Sequence, residues 1–139
     1  MVGVIDTKGE CVAEWTFPAE LDAVRTARHA VRETLRGWDL EAAVGDVTVL
    51  LVSELVTNSM RYASGPIGVR LSRPPHRDGV PALTVEVSDP LPDPPLERPA
   101  GPDEEGGRGL QLVACSARRW GARRGRAGKT VWFELVLPG

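Results

Sequence analysis

The spacing of hydrophobic residues in the first half of the chain predicts one strand followed by two helices. Residues 10–17 are expected to form the strand. Residues 19–38 repeat apolar side chains at the period of an amphipathic helix, with a buried stripe at Leu21, Val24, Ala27, Val31 and Leu35. Gly37 is expected to end this helix, and Asp39 to act as the N-cap of a second, more buried helix over residues 40–63.

Two further strands are predicted where the period of the pattern changes to two. Residues 67–73 and 82–89 are strand-like and are joined by a turn-rich segment. In the second of them the apolar residues alternate with polar ones, and the apolar set is Leu83, Val85 and Val87. One face of this strand is therefore expected to be buried, and the same parity places Asp89 on that buried face.

Residues 90–107 contain six prolines, a density that excludes a helix or a central strand. Because this segment lies between a strand and a helix, a lid is a better interpretation than a disordered tail. Residues 108–120 predict a short helix, and residues 120–126 and 129–137 predict a last pair of strands. The expected fold is a single α+β domain over residues 1–139, a two-layer sandwich. Its mixed, mostly antiparallel sheet is covered on one face by about three helices.

Composition narrows the class of function. The chain of 139 residues carries 17 basic and 19 acidic side chains, so no net basic field attracts nucleic acid or an anionic membrane. The longest apolar stretch, residues 47–56, is too short to span a bilayer, and the N-terminus lacks a signal-peptide pattern. Cys11 and Cys115 are isolated, which favours reduced thiols in a cytoplasmic protein. His29 and His76 have no companion at metal-ligand spacing.

Three polar residues on the second predicted helix form the first candidate site. Glu54, Asn58 and Arg61 are four and three positions apart, so they share one face of a helix that is otherwise rich in Val and Leu. A buried carboxylate is costly unless it is paired or has a function. The residues alone leave two interpretations open, namely a satisfied internal network and a functional cluster.

Asp89 and a glycine-rich segment form two further candidates. Asp89 ends a strand, where it can cap a turn before Pro90 or accept hydrogen bonds from an exocyclic amine such as that of adenine. Glycines at 106, 107 and 109 precede a predicted helix, whose free N–H groups and positive dipole end favour phosphate. The glycines can equally serve only to turn the chain, and no Walker or Rossmann motif is present.

The order and spacing of these features resemble those of a known family. ELVTNS at 54–59, SDP at 88–90, GRGLQLV at 107–113 and GKTVWFEL at 128–135 are similar to the motifs of the GHKL ATPase superfamily. That group includes gyrase, histidine kinases and small anti-sigma-factor serine/threonine kinases. The resemblance covers nearly the whole chain, and the chain length is similar to that of the kinase branch.

The resemblance implies a role for each matching residue. Asn58 would bind Mg²⁺, which bridges the triphosphate of ATP, and Glu54 would be the general base. Asp89 would bind the adenine amino group, with Thr130 beside it on the last strand. Residues 90–107 would form the ATP lid.

The second glycine motif completes the implied site. The resemblance gives Gly107, Gly109 and Leu110 the role of holding the phosphates through their backbone amides. Arg108 would lie at the phosphate end, where it would stabilise the transferring charge or contact the partner.

Two functional hypotheses follow from the resemblance. The first is a serine/threonine protein kinase that uses Mg²⁺ and ATP, phosphorylates an anti-anti-sigma-like partner and sequesters a sigma factor or another transcription regulator. A homodimer is also implied by this branch, although no residue demonstrates one. The second is a weak or inactive nucleotide-binding module that regulates transcription by protein capture. It is motivated by Leu91 and Asp93, which stand where the first glycine motif of the family has glycines.

Overall fold

Three helices cover one face of a six-stranded antiparallel sheet. This architecture comes from a computed structural model that describes residues 2–7, 10–62, 65–73, 80–90, 105–125 and 128–138. The predicted α+β two-layer fold is confirmed. All five strand pairs described are antiparallel, so nothing in this part of the chain makes the sheet mixed.

The strands occur in chain order except at one edge of the sheet. They are β1 Val2–Thr7, β2 Glu10–Phe17, β3 Ile67–Arg73, β4 Ala82–Asp89, β5 Arg119–Gly125 and β6 Gly128–Val136. Their spatial order is β1-β2-β3-β4-β6-β5, so β5 is an edge strand and β6 lies beside β4. Five of the six strands match predicted ones within one residue at each end. β1 was not predicted from the sequence.

The helix layer is built around one central helix. The helices are α1 Ala23–Gly37, α2 Asp46–Tyr62 and α3 Glu105–Ser116, and a π-helical turn at Glu41–Gly45 leads into α2. α2 contacts both α1 and α3, and it packs on β3 and β4. The third helix begins at residue 105, three residues earlier than predicted, so the second glycine motif lies inside it.

The core lies between the sheet and α2. Alternate residues of β4 and β6 are buried beneath the helices, in agreement with the predicted alternation. The segment Glu41–Arg61 is long and apolar enough to cross a membrane by length and composition alone. One side of this segment is nevertheless buried in the protein core through Leu51, Val52, Leu55 and Val56, whereas Leu50 is 49% exposed. These contacts are those of the central helix of a packed domain.

The amphipathic stripe of α1 is confirmed at most of its positions. Ala27, Val31 and Leu35 are completely buried, and Val24 is partly buried against the core. Leu21, which was also expected on this stripe, is 97% exposed. The reason is that the helix begins two residues later, at Ala23, so Leu21 does not follow the helical periodicity.

The end of α1 differs from the prediction at Asp39. Its N–H donates to the carbonyl of Arg36 at 3.1 Å, and the N–H of Leu40 donates to the carbonyl of Leu35 at 2.8 Å. These two bonds form a Schellman motif, which requires a left-handed residue, and Asp39 has a φ of 60°. The predicted N-cap role of Asp39 is therefore wrong, because the residue closes α1. Gly37 is the last helical residue and needs no special conformation.

The face of the sheet opposite the helices carries a row of paired charges. Arg70 lies 3.2 Å from a carboxylate oxygen of Glu14 and 3.2 Å from one of Glu86. Arg123 on the edge strand also pairs with Glu86. Surface pairs of this kind contribute little individually, but opposite charges on neighbouring strands favour the observed register. Asp89 lies on the other face, beneath the helices.

Replacing Asp39 with Gly is expected to raise the free energy of unfolding by about 0.5–1 kcal/mol, because Gly adopts the left-handed conformation without steric cost. Urea denaturation measures the change. Arg28→Gly is the matched control, since Arg28 is exposed within α1 and the change should lower the stability by roughly 0.5–1 kcal/mol. An Asp39→Gly variant that is no more stable than the wild type would contradict the Schellman assignment.

Candidate functional site

The polar residues of α2 lie at the rim of its buried face. Leu55 and Val56 are buried against the core, whereas Glu54 and Asn58 are half-buried and Arg61 is exposed. The predicted common face of the three is therefore a flank that runs from the helix–sheet interface out to solvent. A carboxylate and an amide at this position are accessible to a ligand, and they are held by a helix whose opposite side is fixed in the core.

Asp89 is the buried polar centre of the site. Its side chain is 2% exposed, as the parity of β4 predicted. The hydroxyl of Ser59 donates to Asp89 Oδ2 at 2.9 Å, and Lys129 Nζ lies 3.7 Å from the same oxygen. A buried carboxylate needs such partners because its desolvation is costly. Since Ser59 directly follows Asn58, this hydrogen bond joins the polar flank of α2 to the end of β4.

Thr130 does not lie beside Asp89. Its hydroxyl is 2.8 Å from that of Ser88, and both residues are on the sheet face that the helices leave open. In the β4–β6 register Asp89 is opposite Lys129, and Ser88 is opposite Thr130. The expectation that Thr130 lies beside Asp89 is corrected on this ground, because neighbouring residues of a strand point to opposite faces.

A cavity of about 470 Å³ opens at this end of the sheet. It is lined by the last two residues of β4 and by the facing ends of β5 and β6. Its volume is within the range of small-molecule sites. Gly128 forms part of the lining, with a φ of 146°, and a Cβ there would overlap the carbonyl oxygen of Asp89. Only glycine allows β6 to approach β4 so closely at this point.

The second glycine motif lies in the first two turns of α3. Gly107 is the third residue of the helix, so its N–H belongs to the group that has no acceptor within the helix. Gly109 and Leu110 lie beyond the first turn, where the N–H groups bond to the preceding turn. Leu110 also packs against the core. The N–H groups without a helical acceptor are thus those of Gly107 and its neighbours at the start of α3, and Arg108 lies in the same part of the helix. The phosphate-binding role of Gly107, Gly109 and Leu110 stays a prediction.

The proline-rich segment falls mostly outside the described residues. Leu91 and Asp93 are among those not described, as is most of the predicted lid. Pro90 is described, and it lies against Gly65, where a Cβ would meet the proline ring at 2.6 Å. The backbone at Asp89 and Pro90 thus has close neighbours on two sides, at Gly65 and at Gly128.

Two residues of the site were not identified from the sequence. Ser59 is the last residue of the ELVTNS motif, and its position there was the available signal, although its hydrogen bond to Asp89 requires the fold. Lys129 was not identified, because its place in the GKTVWFEL motif gave it no role in the sequence analysis. Among the described residues, no group of three His, Cys, Asp or Glu side chains is placed to hold a metal ion.

The residues present fit a nucleotide. Asp89 supplies a buried acceptor for a base, and the start of α3 supplies free N–H groups suited to phosphate. Asn58 supplies an amide oxygen of the kind that Mg²⁺ accepts when its other ligands are phosphates and water. These groups lie on β4, α3 and α2, and both β4 and α3 contact α2.

Comparison with known proteins identifies the family of the domain. A family model described as a histidine kinase-like ATPase domain matches residues 17–135. The chain is also similar to the crystal structure of the RsbU and RsbW domains of Rv1364c from Mycobacterium tuberculosis, with a TM-score of 0.67 and 21% identity. That match covers 91% of this chain and 32% of the other, so this chain spans about a third of the length of that structure. No match is found among curated proteins.

The chain belongs to the histidine kinase-like ATPase family. The matched region contains α2, β4 and α3 entirely, and it therefore includes Glu54, Asn58 and Asp89. Family membership implies that the domain binds ATP, and the resemblance to the GHKL superfamily is confirmed. The similarity to the Mycobacterium structure supports the fold alone, because the identity is low.

Gly128→Ala is expected to destabilise the protein by roughly 2 kcal/mol or more, because it adds a Cβ in a conformation reserved for glycine and against the Asp89 carbonyl. Thermal or urea unfolding gives the change. Gly125→Ala is the control, since it lies in the same pair of strands and a Cβ there meets nothing within 4 Å. Equal effects of the two substitutions would mean that the close approach is not as described.

Ser59→Ala is expected to lower the free energy of unfolding by about 1–3 kcal/mol, because a buried carboxylate loses a hydrogen-bond donor. Ser53→Ala is the comparison on the same helix. The Ser53 hydroxyl donates to the carbonyl of Val49 at 2.6 Å, a hydrogen bond that lies within α2. Its loss should change the stability by about 0.5 kcal/mol or less. If both variants unfold at the same urea concentration, the Ser59–Asp89 bond does not join the two layers.

Proposed function

We propose that the chain is an ATP-dependent serine/threonine protein kinase of the anti-sigma-factor type. In this proposal it phosphorylates an anti-anti-sigma-like partner and sequesters a sigma factor, or another transcription regulator, when that partner is modified. The observation that carries the proposal is the junction of α2 and β4. There Ser59 bonds the buried Asp89 while the preceding Asn58 and Glu54 stay accessible on the helix flank.

The proposed roles of the residues are those that the family resemblance implies, and the places of these residues on α2, β4 and α3 support them. Asp89 would accept a hydrogen bond from the adenine amine, and Asn58 would supply a ligand to Mg²⁺. The bound Mg²⁺–ATP supplies an activated phosphoryl group. Glu54, one turn before Asn58 on the same flank, would accept the proton of the acceptor serine hydroxyl. Gly107 and Arg108 would hold and neutralise the phosphate end.

The partners are inferred from the kinase branch that the motifs resemble. A phosphate group on the partner serine adds negative charge to the interface, which would weaken the complex by repulsion and desolvation. The same branch supports a homodimer. The near-neutral charge of the chain supports a protein partner over nucleic acid or a membrane, and a cytoplasmic location fits the isolated cysteines.

A nucleotide-binding module without kinase activity is the second candidate. Leu91 and Asp93 motivate it, because a leucine side chain and a carboxylate replace the glycines that would let the backbone approach a nucleotide. Such a protein would regulate transcription by capturing its partner. Transfer of phosphate to a partner protein separates the two functions.

Glu54→Gln is expected to lower the rate of phosphate transfer by roughly 100-fold or more, because it removes the general base but keeps the shape of the side chain. Radiolabelled ATP is incubated with the protein and with each purified anti-anti-sigma-like protein of the same organism. Binding of Mg²⁺–ATP, followed by calorimetry, should change by about twofold or less. Asn58→Ala should instead abolish the Mg²⁺-dependent part of ATP binding.

Thr57→Ala is the matched control for both variants. Thr57 lies between Glu54 and Asn58 in the chain, and its hydroxyl bonds to the carbonyl of Ser53 at 2.7 Å within α2. Its removal should alter neither transfer nor binding. Transfer that persists at the wild-type rate in the Glu54→Gln variant would disprove the base assignment. ATP binding without transfer to any of these partners would favour the capture module.

A further inference from the structure

Lys129 lies next to Asp89, the proposed acceptor for the base, at a position to which no motif gives a role. It is opposite Asp89 in the β4–β6 register and lines the cavity. It shares the parity of Val131 and Phe133, both of which are buried beneath the helix layer. The Lys129 side chain is 27% exposed, whereas that of Asp89 is 2% exposed. The Lys129 side chain is therefore more accessible to a ligand than the carboxylate beside it.

The contact between the two residues is an ion pair and not a hydrogen bond. Lys129 Nζ is 3.7 Å from Asp89 Oδ2, which is beyond hydrogen-bond range, while Ser59 donates to the same oxygen at 2.9 Å. An ammonium has three N–H donors and no acceptor. The pair can therefore keep its electrostatic attraction while Lys129 donates a hydrogen bond to a ligand in the cavity.

The two groups together match one edge of adenine. That edge carries the exocyclic amine, which is a donor, beside the ring nitrogen N1, which is an acceptor. A carboxylate accepts from the amine, and an ammonium a few ångströms away donates to N1. A hydrogen bond from a charged donor is stronger than one from a neutral donor.

We propose that Lys129 is a base-recognition residue of the ATP site, acting with Asp89 by donating a hydrogen bond to N1 of adenine. This inference rests on the proposed binding of ATP and adds a second determinant of base specificity. The same contact also keeps the buried Asp89 carboxylate next to a counter-charge, so the residue serves the empty and the occupied site. If Lys129 were only a counter-charge to Asp89, its removal would change the affinity for all nucleotides by the same factor. Base recognition and a structural role can therefore be distinguished by measuring affinities.

The proposal is tested by replacing one atom of the ligand and one side chain of the protein. Calorimetry measures the binding of ATP and of 1-deaza-ATP, in which a carbon replaces N1 and the amine is kept, to the wild type and to Lys129→Met. We expect the wild type to bind 1-deaza-ATP about tenfold more weakly than ATP. In the Lys129→Met variant the two ligands should bind within about twofold of each other, because the donor is gone.

Two controls exclude simpler explanations. Arg124→Met removes another positive charge from the lining of the same cavity, and it should leave the preference for ATP over 1-deaza-ATP unchanged. Purine riboside triphosphate, which lacks the amine, should bind more weakly to the wild type and to the Lys129→Met variant by the same factor, because Asp89 reads the amine in both. Thermal unfolding of each variant checks that it is folded.

The outcomes separate this inference from the proposed function. If the wild type binds ATP and 1-deaza-ATP equally well, the inference is wrong and ATP binding stands, whether or not the Lys129→Met variant folds. If Lys129→Met weakens both ligands by the same factor, the residue is only a structural counter-charge and the inference is also wrong. If the wild type binds no adenine nucleotide, the proposed function fails together with it.

Discussion

The hydrogen bond from Ser59 to Asp89 is the contact on which the site depends. It joins the central helix to the end of a central strand, and both residues are buried. Because Asn58 immediately precedes Ser59, the bond also fixes the accessible flank of α2 relative to the sheet. The bond satisfies part of the hydrogen-bonding need of a carboxylate that would otherwise be strongly destabilising. This one interaction thus connects the packing of the helix and sheet layers to the placement of Glu54, Asn58 and Asp89.

The parts of the fold that were predictable are those in which a repeating pattern coincides with burial. The alternation in β4 predicted its buried face and the burial of Asp89, and the stripe of α1 predicted three fully buried residues. β1 was not predicted, since its place in the sheet depends on pairing with β2. Asp39 was misassigned because an acidic residue between two helices fits either an N-cap or a left-handed helix end.

The burial of Asp89 was predictable from the sequence, but the residue that faces it on β6 was not. Thr130 and Lys129 differ by one position, and a shift of one residue in a strand exchanges its two faces. The observed parity follows the burial of Val131, Phe133 and Leu135, which places Lys129 on the helix side of β6. The φ of 146° at Gly128 and its close approach to Asp89 cannot be read from the sequence. The family, by contrast, follows from a match over residues 17–135.

The most direct test of the account is a crystal structure of the protein with Mg²⁺ and a non-hydrolysable ATP analogue. The account predicts that the adenine amine lies within hydrogen-bond distance of Asp89, and that the metal ion is bound by the amide oxygen of Asn58. The phosphates should lie at the start of α3. A nucleotide bound elsewhere, or a cleft between α2 and β4 that remains filled by hydrophobic side chains at saturating analogue, would contradict it.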